Sequence, residues 1–170
     1  MIRRATLSDV DTIMGIVRSA QQSLRELGID QWQDGYPSPD SIKLDIDAQV
    51  GYVACDEDSI VGYAAIVLTG EPAYMQIAEL WHTSERYVVV HRLCVDSSQR
   101  RRGVGIMLMK HAADMARREG YDAFRIDTHK GNIRMMCMMQ RLGFSHVGKI
   151  LYDSGEREAF ELSLDLSNTL

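Results

Sequence analysis

The centre of the chain reads YVVVHRLCVDSSQRRRGVG, from Tyr87 to Gly105. The run from Tyr87 to Val95 is rich in β-branched and apolar residues, which is typical of a strand buried within a sheet. From Gly103 to Glu119 the apolar residues recur at helical spacing. The stretch therefore predicts a central strand, a basic glycine-containing loop and an amphipathic helix.

The loop QRRRGVG has the composition of an anion site. A helix N-terminus carries backbone N–H groups without helical partners and a partial positive charge. Gly103 and Gly105 lack the Cβ that would block close approach, and the arginines from Arg100 to Arg102 add cationic donors. This arrangement predicts a pyrophosphate ligand, and the structural alternative is a solvated loop that caps the helix. A dinucleotide-binding GxGxxG is excluded by Leu108 in its third glycine position, and GxxxxGK[ST] does not occur.

The flanking residues predict helices that alternate with strands. Before the centre we expect a strand at Ile2–Ala5, a helix that starts near Thr6 and Ser8 and stops at Gly28, and a second helix from Ser38 and Pro39 through Ile46. A hairpin of GYVACD and IVGYAAIVLTG follows. The pattern does not define the structure of the long connection from Glu71 to Arg86. After it we expect a strand at Ala123–Thr128, a helix at Asn132–Leu142, and a hairpin of Ser145–Tyr152 with Arg157–Leu164. This order predicts a mixed α/β sheet in one domain, residues 1–170.

Composition narrows the class of protein. A formal net charge of -5 with a pI of about 5.5 argues against a dedicated nucleic-acid-binding domain, which needs a net basic face. Cysteines number three, none in a CxxC, and we interpret them as reduced, buried thiols of a cytoplasmic protein. No 18-residue apolar run and no secretory leader pattern occur, so we expect neither a membrane span nor secretion by that route.

The string R-x-x-G-x-G from Arg100 to Gly105, between a strand and an amphipathic helix, resembles the pyrophosphate-binding motif of the GNAT family of N-acetyltransferases. That family also shows a strand, an asparagine, a short helix and Gly-Phe, and here RIDTHKGN precedes IRMMCMMQRLGF with Asn132 and Gly143-Phe144 in those places. The resemblance covers the whole chain by element order and Arg92 to Phe144 by motif. It implies a single-domain GNAT-like mixed sheet of about six to seven strands, splayed at the central parallel pair and flanked by about four helices.

The resemblance also implies a site for acetyl-CoA as cosubstrate. In the family the pantetheine arm enters the gap beside the central strand, and main-chain groups of that strand pair with its amides. Asn132 matches the asparagine that contacts the coenzyme arm, and its position also suits a helix N-cap. The implied coenzyme-binding residues are Leu93, Cys94 and Val95 for the arm and Arg100, Arg101, Arg102, Gly103, Val104, Gly105 and Ile106 for the pyrophosphate.

The implied reaction is direct attack of a primary amine on the thioester in a ternary complex. An alkylamine of pKa about 10.4 must lose a proton first. The oxyanion needs donors aimed at it, most simply a strand N–H group. Two residues are candidates for the base. Period-2 alternation places His91 on the same strand face as Leu93 and Val95, and some arylalkylamine acetyltransferases of the family carry a histidine there. Asp127 matches a catalytic glutamate of ribosomal-protein acetyltransferases.

Both candidate bases have structural alternatives. His91 is also typical of a histidine hydrogen-bonded within the sheet, and Asp127 of a carboxylate that pairs with Arg125 or His129. One departure from the family bears on the acid. Many members place a tyrosine seven residues after the asparagine to protonate the leaving thiolate, whereas this chain has Met139. Tyr152 is a substitute that we consider without a motif to support it.

For the acceptor, the resemblance implies a site formed by the loop after the first helix and by the connection after the hairpin. There the aromatic rings would stack on a substrate or pack the loop, and the carboxylates would attract a cationic amine. The substrate-binding candidates are Trp32, Tyr36, Glu79 and Trp81. We predict no metal, because no His/Cys cluster has ligand spacing. Partners would be acetyl-CoA and an amine acceptor, with no nucleic acid or membrane, and family analogy implies a homodimer.

Two other classes of function remain open. Met139 in the tyrosine position is compatible with a non-catalytic acyl-CoA-binding or sensor module. The arginine-rich loop is compatible with a regulator that binds another nucleotide through its pyrophosphate. Competition between ATP and CoA would separate the second from the first. The acceptor amine itself does not follow from any loop.

Overall fold

A computed structural model of the protein describes residues 1–83, 86–99 and 102–164. Seven strands and four α-helices lie within these ranges, with short 3₁₀ segments between some of them. Their order confirms the order predicted from the sequence. The elements are β1 (Ile2–Arg4), α1 (Val10–Glu26), α2 (Pro39–Asp47), β2 (Gly51–Asp56), β3 (Ser59–Val67), β4 (Tyr87–Val95), α3 (Val104–Arg118), β5 (Ala123–Thr128), α4 (Ile133–Arg141), β6 (Ser145–Tyr152) and β7 (Gly155–Ser163).

The strands form one mixed sheet in the order β1-β2-β3-β4-β5-β7-β6. β1 with β2, β2 with β3, β5 with β7 and β6 with β7 pair antiparallel, whereas β4 and β5 pair parallel. The parallel ladder joins Tyr87, Val88 and Val89 to the first three residues of β5, although β4 continues to Val95. This sheet confirms the predicted fold class, including the parallel pair at its centre.

The chain divides into two compact units, and β4 and α3 each contribute residues to both. The first unit holds Met1–Ile66 with Val90–His111, and the second holds Val67–Val89 with Ala112–Leu170. In the first, α1 and α2 pack on β2 and β3 around Ile13, Val17 and Ile42. In the second, a smaller aromatic cluster gathers around Tyr74. Apolar burial in each unit supplies the main stabilising free energy.

Local capping chemistry explains where the helices begin. Ser38 Oγ accepts a hydrogen bond from the Ser41 N–H at 3.3 Å, and Pro39 occupies the first position of α2. Asn132 Oδ1 accepts from the Met135 N–H at 3.3 Å at the start of α4. Each cap satisfies a backbone donor that has no partner within its own helix.

The connection whose structure the sequence left undefined is a 3₁₀ segment, Pro72–Leu80, with a kink at Ile77. The Gln76 side chain attaches this segment to β6. It donates to the Leu151 carbonyl at 2.9 Å and accepts from the Leu151 N–H at 3.1 Å. β6 lies at the edge of the sheet, so its outer backbone groups have no neighbouring strand to pair with. At Leu151 the Gln76 side chain supplies these hydrogen bonds instead.

Candidate active site

Strand β4 changes its backbone conformation at Arg92. This residue has φ +54°, in the left-handed region that non-glycine residues seldom adopt. His91 and Leu93 were expected on one strand face because side chains alternate along a strand. The positive φ of Arg92 interrupts this alternation between them. Val88, Val89 and Val90 before this point are buried, whereas His91, Arg92 and Leu93 are half-buried. Of the main chain expected to contact the coenzyme, Leu93 and Val95 are half-buried and Cys94 is buried.

An ion-pair network holds Arg92 in this conformation. Its Nε donates to Asp45 Oδ2 at 2.7 Å, its Nη2 donates to Asp45 Oδ1, and its Nη1 donates to the Tyr36 hydroxyl at 2.6 Å. The buried Tyr63 hydroxyl donates to Asp45 Oδ2 at 2.7 Å. Burial and the hydrogen bond to Asp45 raise the pKa of Tyr63, so this hydroxyl stays protonated. The carboxylate of α2 thus fixes both the β4 backbone and the loop at Tyr36.

The turn after β4 leads directly into α3. Asp96 Oδ1 accepts from the Ser98 N–H at 2.8 Å, and the Arg102 N–H donates to the Gln99 carbonyl at 3.3 Å. Gly103 then adopts φ +81°, and its carbonyl accepts from the Met107 N–H at 2.9 Å. The N–H groups of the first helical turn consequently have no helical acceptor. Of the arginines in the predicted cradle, Arg100 and Arg101 lie outside the described residues.

The space around this helix start differs between its two sides. A Cβ built on Gly103 would meet no heavy atom within 4 Å, and both Gly103 and Arg102 are exposed. On the inner side, a Cβ on Gly62 of β3 would lie 2.9 Å from Val104 Cγ1 and 3.3 Å from the Cys94 carbonyl. Glycine at position 62 therefore allows α3 to pack tightly on β3, while Arg102 and Gly103 just before the helix are exposed. These features fit a pyrophosphate held by backbone donors and Arg102.

Asp127, near the end of β5, accepts hydrogen bonds from two tyrosines. The Tyr74 hydroxyl donates to Oδ2 at 3.0 Å and the Tyr152 hydroxyl donates to the same oxygen at 3.1 Å. Tyr74 is 1% exposed, whereas Asp127 and Tyr152 are half-buried. Burial and the charge of Asp127 raise the pKa of both tyrosines, so both are neutral donors. Sequence reasoning missed Tyr74, because nothing in the 71–86 connection predicted which residue would face inward.

The sequence profile of the Acetyltransferase (GNAT) family matches residues 18–144, more than half of the chain. The chain belongs to the GNAT family. A GNAT acetyltransferase from Streptococcus agalactiae is 32% identical, with a TM-score of 0.82 over 96% of this chain and 94% of that one. The Salmonella typhimurium protein yncA, solved with its cofactor acetyl-CoA, is 19% identical and shares the fold with a TM-score of 0.70 over 97% and 94% of the two chains.

Human N-acetyltransferase 8 is 26% identical over 101 residues, which are 59% of this chain and 40% of that protein. This GNAT chain thus spans less than half the length of that relative. The family membership agrees with the resemblance inferred from the sequence.

In this GNAT chain, two positions of the family pattern lie at α4, Asn132 directly before the helix and Met139 within it. Asn132 is the N-cap of α4 through its Oδ1 atom. An amide carries its donors on Nδ2, so the cap and a contact to a carbonyl of the coenzyme arm use different atoms. Met139, in the place of the family tyrosine, is 0% exposed and belongs to the core. Cys94 on β4 is buried as well, and burial raises the pKa of its thiol to about 12.

The four acceptor candidates fall into two pairs. In the first unit, Trp32 (φ +66°) packs against the core cluster, and Tyr36 is 42% exposed with its hydroxyl on Arg92. In the second unit, Glu79 is exposed, and Trp81 stacks on the Arg125 guanidinium at 4.4 Å. The Trp81 indole also donates to the Tyr74 carbonyl at 3.1 Å. Trp81 therefore supports Tyr74.

Two kinds of site are absent from the described part of the chain. Within residues 1–83, 86–99 and 102–164, no group of three or more His, Cys, Asp or Glu residues is arranged to hold a metal ion. None of the helices in these ranges combines the length and the apolar character that a membrane crossing requires.

Proposed function

We propose that this GNAT chain transfers an acetyl group from acetyl-CoA to a primary amine of a small molecule or protein, by direct attack in a ternary complex. The observation that carries the proposal is the start of α3. There Gly103 has φ +81° with open space at its Cβ, Arg102 is exposed, and the N–H groups of the first helical turn have no helical acceptor. A ligand with adjacent phosphates matches these donors in charge and geometry.

Each remaining residue has a defined part in this proposal. Arg100, Arg101 and Arg102 neutralise the pyrophosphate. Main-chain groups from Leu93 to Val95 orient the pantetheine arm, and Asn132 contacts it. Because Arg92 bends β4 just before Leu93, the Asp45 carboxylate that holds Arg92 also holds this main chain. A strand N–H group there would donate a hydrogen bond to the thioester oxygen as negative charge develops on it.

The base in this proposal is Asp127, with His91 as the competing candidate. Asp127 is half-buried and held by two hydroxyls, so it can meet solvent while its orientation is fixed. His91 is half-buried on β4. Replacing each by asparagine separates them: the base variant loses turnover while acetyl-CoA binding is retained.

The experiment that tests the proposal is calorimetric titration of the protein with acetyl-CoA. The control is the double variant Arg102→Glu/Gly103→Glu, in which two carboxylates face the phosphates. A Cβ at position 103 meets no heavy atom within 4 Å, so strain of about 1–2 kcal/mol at the positive φ is the main structural cost. We expect saturable binding by the wild type and at least tenfold weaker binding by the folded double variant. Equal affinity of the two proteins would refute the proposed cradle.

Turnover is tested with a panel of primary amines and of peptides with free N-termini, by following CoA release. A non-catalytic acyl-CoA-binding module is the second candidate function, and the fully buried Met139 in the tyrosine position favours it. Binding of acetyl-CoA without CoA release from any amine would support that second function. On family grounds, we also propose that residues 1–170 form one catalytic domain and that the protein is cytoplasmic. We further propose a homodimer, and analytical sedimentation would test this oligomeric state.

A further inference from the structure

We propose that Asp127 and Tyr152 form a proton relay between the amine and the departing thiolate, and that Tyr74 is the positioning residue of this relay. The inference rests on the proposed function and supplies the acid that Met139 cannot provide, since its side chain is apolar and fully buried. Its basis is the pair of hydroxyls that donate to one oxygen of Asp127, at 3.0 Å from Tyr74 and 3.1 Å from Tyr152.

Exposure separates the roles of the two tyrosines. Tyr74 is 1% exposed, and its ring lies 5.2 Å from the Trp81 ring and 5.9 Å from the Tyr87 ring, centroid to centroid. The Tyr74 hydroxyl is therefore held in the core and cannot reach a substrate. Tyr152 is half-buried at the end of β6, next to the turn into β7, and is less buried than Tyr74. Tyr152 is thus the one suited to exchange a proton with a bound ligand.

The charged groups around the cluster set the protonation state before reaction. Burial is the first cause that raises the pKa of Tyr152, followed by the charges of Asp127 and Glu71, while Arg157 lowers it. For the buried Tyr74, burial and the charge of Asp127 act in the same upward direction, and Glu71 adds to them. Both hydroxyls are consequently protonated and donate to Asp127.

The relay moves one proton in three transfers. The amine nitrogen gives its proton to Asp127 Oδ2 as the N–C bond forms. As the C–S bond breaks, Tyr152 gives its hydroxyl proton to the thiolate sulfur and takes the proton of Asp127 in return. A phenol of pKa about 10 alone would protonate a thiolate of pKa about 8.5 unfavourably. The net donor here is the protonated Asp127 carboxyl, and a carboxylic acid is a stronger acid than a phenol, so the transfer is more favourable than one from a phenol alone. The same step returns the Asp127 carboxyl to its deprotonated form.

The test compares Tyr152→Phe and Tyr74→Phe with the control Tyr121→Phe. Tyr121 lies in the same unit, and its ring stacks with the Arg86 guanidinium at 4.9 Å, a contact that phenylalanine preserves. Each variant is titrated with acetyl-CoA by calorimetry, and kcat and KM are measured across pH with the best amine of the panel. Thermal unfolding of each variant verifies that it is folded.

We expect Tyr152→Phe to lower the plateau value of kcat by about 10- to 100-fold, with the affinity for acetyl-CoA within about twofold of the wild type. Tyr74→Phe should keep most of the plateau kcat but move the acidic limb of the pH profile upward. The reason is that a lost O–H donor disfavours the ionised carboxylate. A purely structural role of Tyr74 would not move that limb.

Three outcomes would overturn the inference. A plateau kcat of Tyr152→Phe equal to that of Tyr121→Phe would exclude the relay while leaving acetyl transfer intact. An unmoved acidic limb in Tyr74→Phe would exclude its action through Asp127. A wild-type protein that neither binds acetyl-CoA nor releases CoA would refute the proposed function and the relay together.

Discussion

Two carboxylates of this protein each accept a hydrogen bond from a buried tyrosine, Asp45 from Tyr63 at 2.7 Å and Asp127 from Tyr74 at 3.0 Å. They differ in their other donors and in exposure. Asp45 is buried and forms an ion pair with the Arg92 guanidinium. Asp127 is half-buried and accepts a hydrogen bond from the neutral Tyr152 hydroxyl. A guanidinium stays protonated near neutral pH and cannot serve as an acid, but a phenol can take part in proton transfer.

This comparison separates a carboxylate that holds the fold from one suited to chemistry. Removing one member of a buried ion pair leaves the other charge uncompensated, so Asp45 should matter for stability. A solvent-accessible carboxylate with neutral donors keeps both its orientation and its capacity to accept a proton. Asp127 should therefore matter for turnover.

The largest effect is expected for Asp127→Asn, which keeps the shape of the side chain but removes the base. We predict a fall in kcat on the order of 100-fold or more, measured as initial CoA release at saturating acetyl-CoA. The matched variant His91→Asn should lose much less. If Asp127→Asn retains kcat within about threefold of the wild type, the chemical role of Asp127 is excluded.

For the other carboxylate of the comparison, we expect Asp45→Ala to lower the free energy of unfolding. Its removal leaves the Arg92 guanidinium, whose side chain is 15% exposed, without its carboxylate. We expect a loss of about 3–5 kcal/mol in the free energy of unfolding, measured by urea denaturation. Asp40→Ala is the control, because Asp40 is 85% exposed and pairs with Lys43 at the surface, where such pairs contribute about 0–1 kcal/mol. Equal losses in the two variants would contradict the assignment.

Asp9 extends the comparison to a second carboxylate paired with an arginine. The hydrogen bond from Arg3, followed by those from Thr6, lowers the pKa of Asp9 from 3.8 to about 2. Because the folded pKa is the lower one, this stabilisation is present above about pH 4 and is lost as pH falls toward 2.

We therefore expect Asp9→Asn to destabilise the fold by about 1–2 kcal/mol at about pH 6, allowing for the partial exposure of Arg3, and by much less near about pH 2.5. Urea unfolding at the two pH values measures this difference. A destabilisation of the same size at both would show that the charge of Asp9 is not its cause.

The smallest effect concerns the backbone at Arg92. Arg92→Gly and Arg92→Ala both delete the ion pair, so the loss of that pair cancels from their difference, which contains the cost of φ +54° and the flexibility of glycine in the unfolded chain. Glycine avoids about 1–2 kcal/mol of strain but loses about 0.4–1 kcal/mol through the flexibility of its unfolded chain. We expect the glycine variant to be more stable by about 0.5–1 kcal/mol in urea unfolding. An alanine variant of equal or higher stability would show that position 92 carries no strain.

Periodicity and capping residues in the sequence were enough to predict the element order. Apolar spacing predicted α1 and α3, Ser38 with Pro39 predicted the start of α2, and the turn residues DSGE predicted the hairpin of β6 and β7. The structure of the 71–86 connection could not be predicted in this way, because 3₁₀ turns have no long apolar period. Asp45 did carry a signal, since it lies three residues after Ile42 and therefore on the buried face of α2.

The family, the order of elements and the position of the glycine and arginines before α3 follow from the sequence alone, because they depend on residues close together in the chain. Tertiary packing, in contrast, brings distant groups together: Asp45 with Arg92, 47 positions apart, and Asp127 with Tyr74, 53 positions apart. Hydrogen bonds of a carboxylate depend on ångström-scale distances and on burial. The packing of separate elements sets both, and no local pattern of residues encodes them.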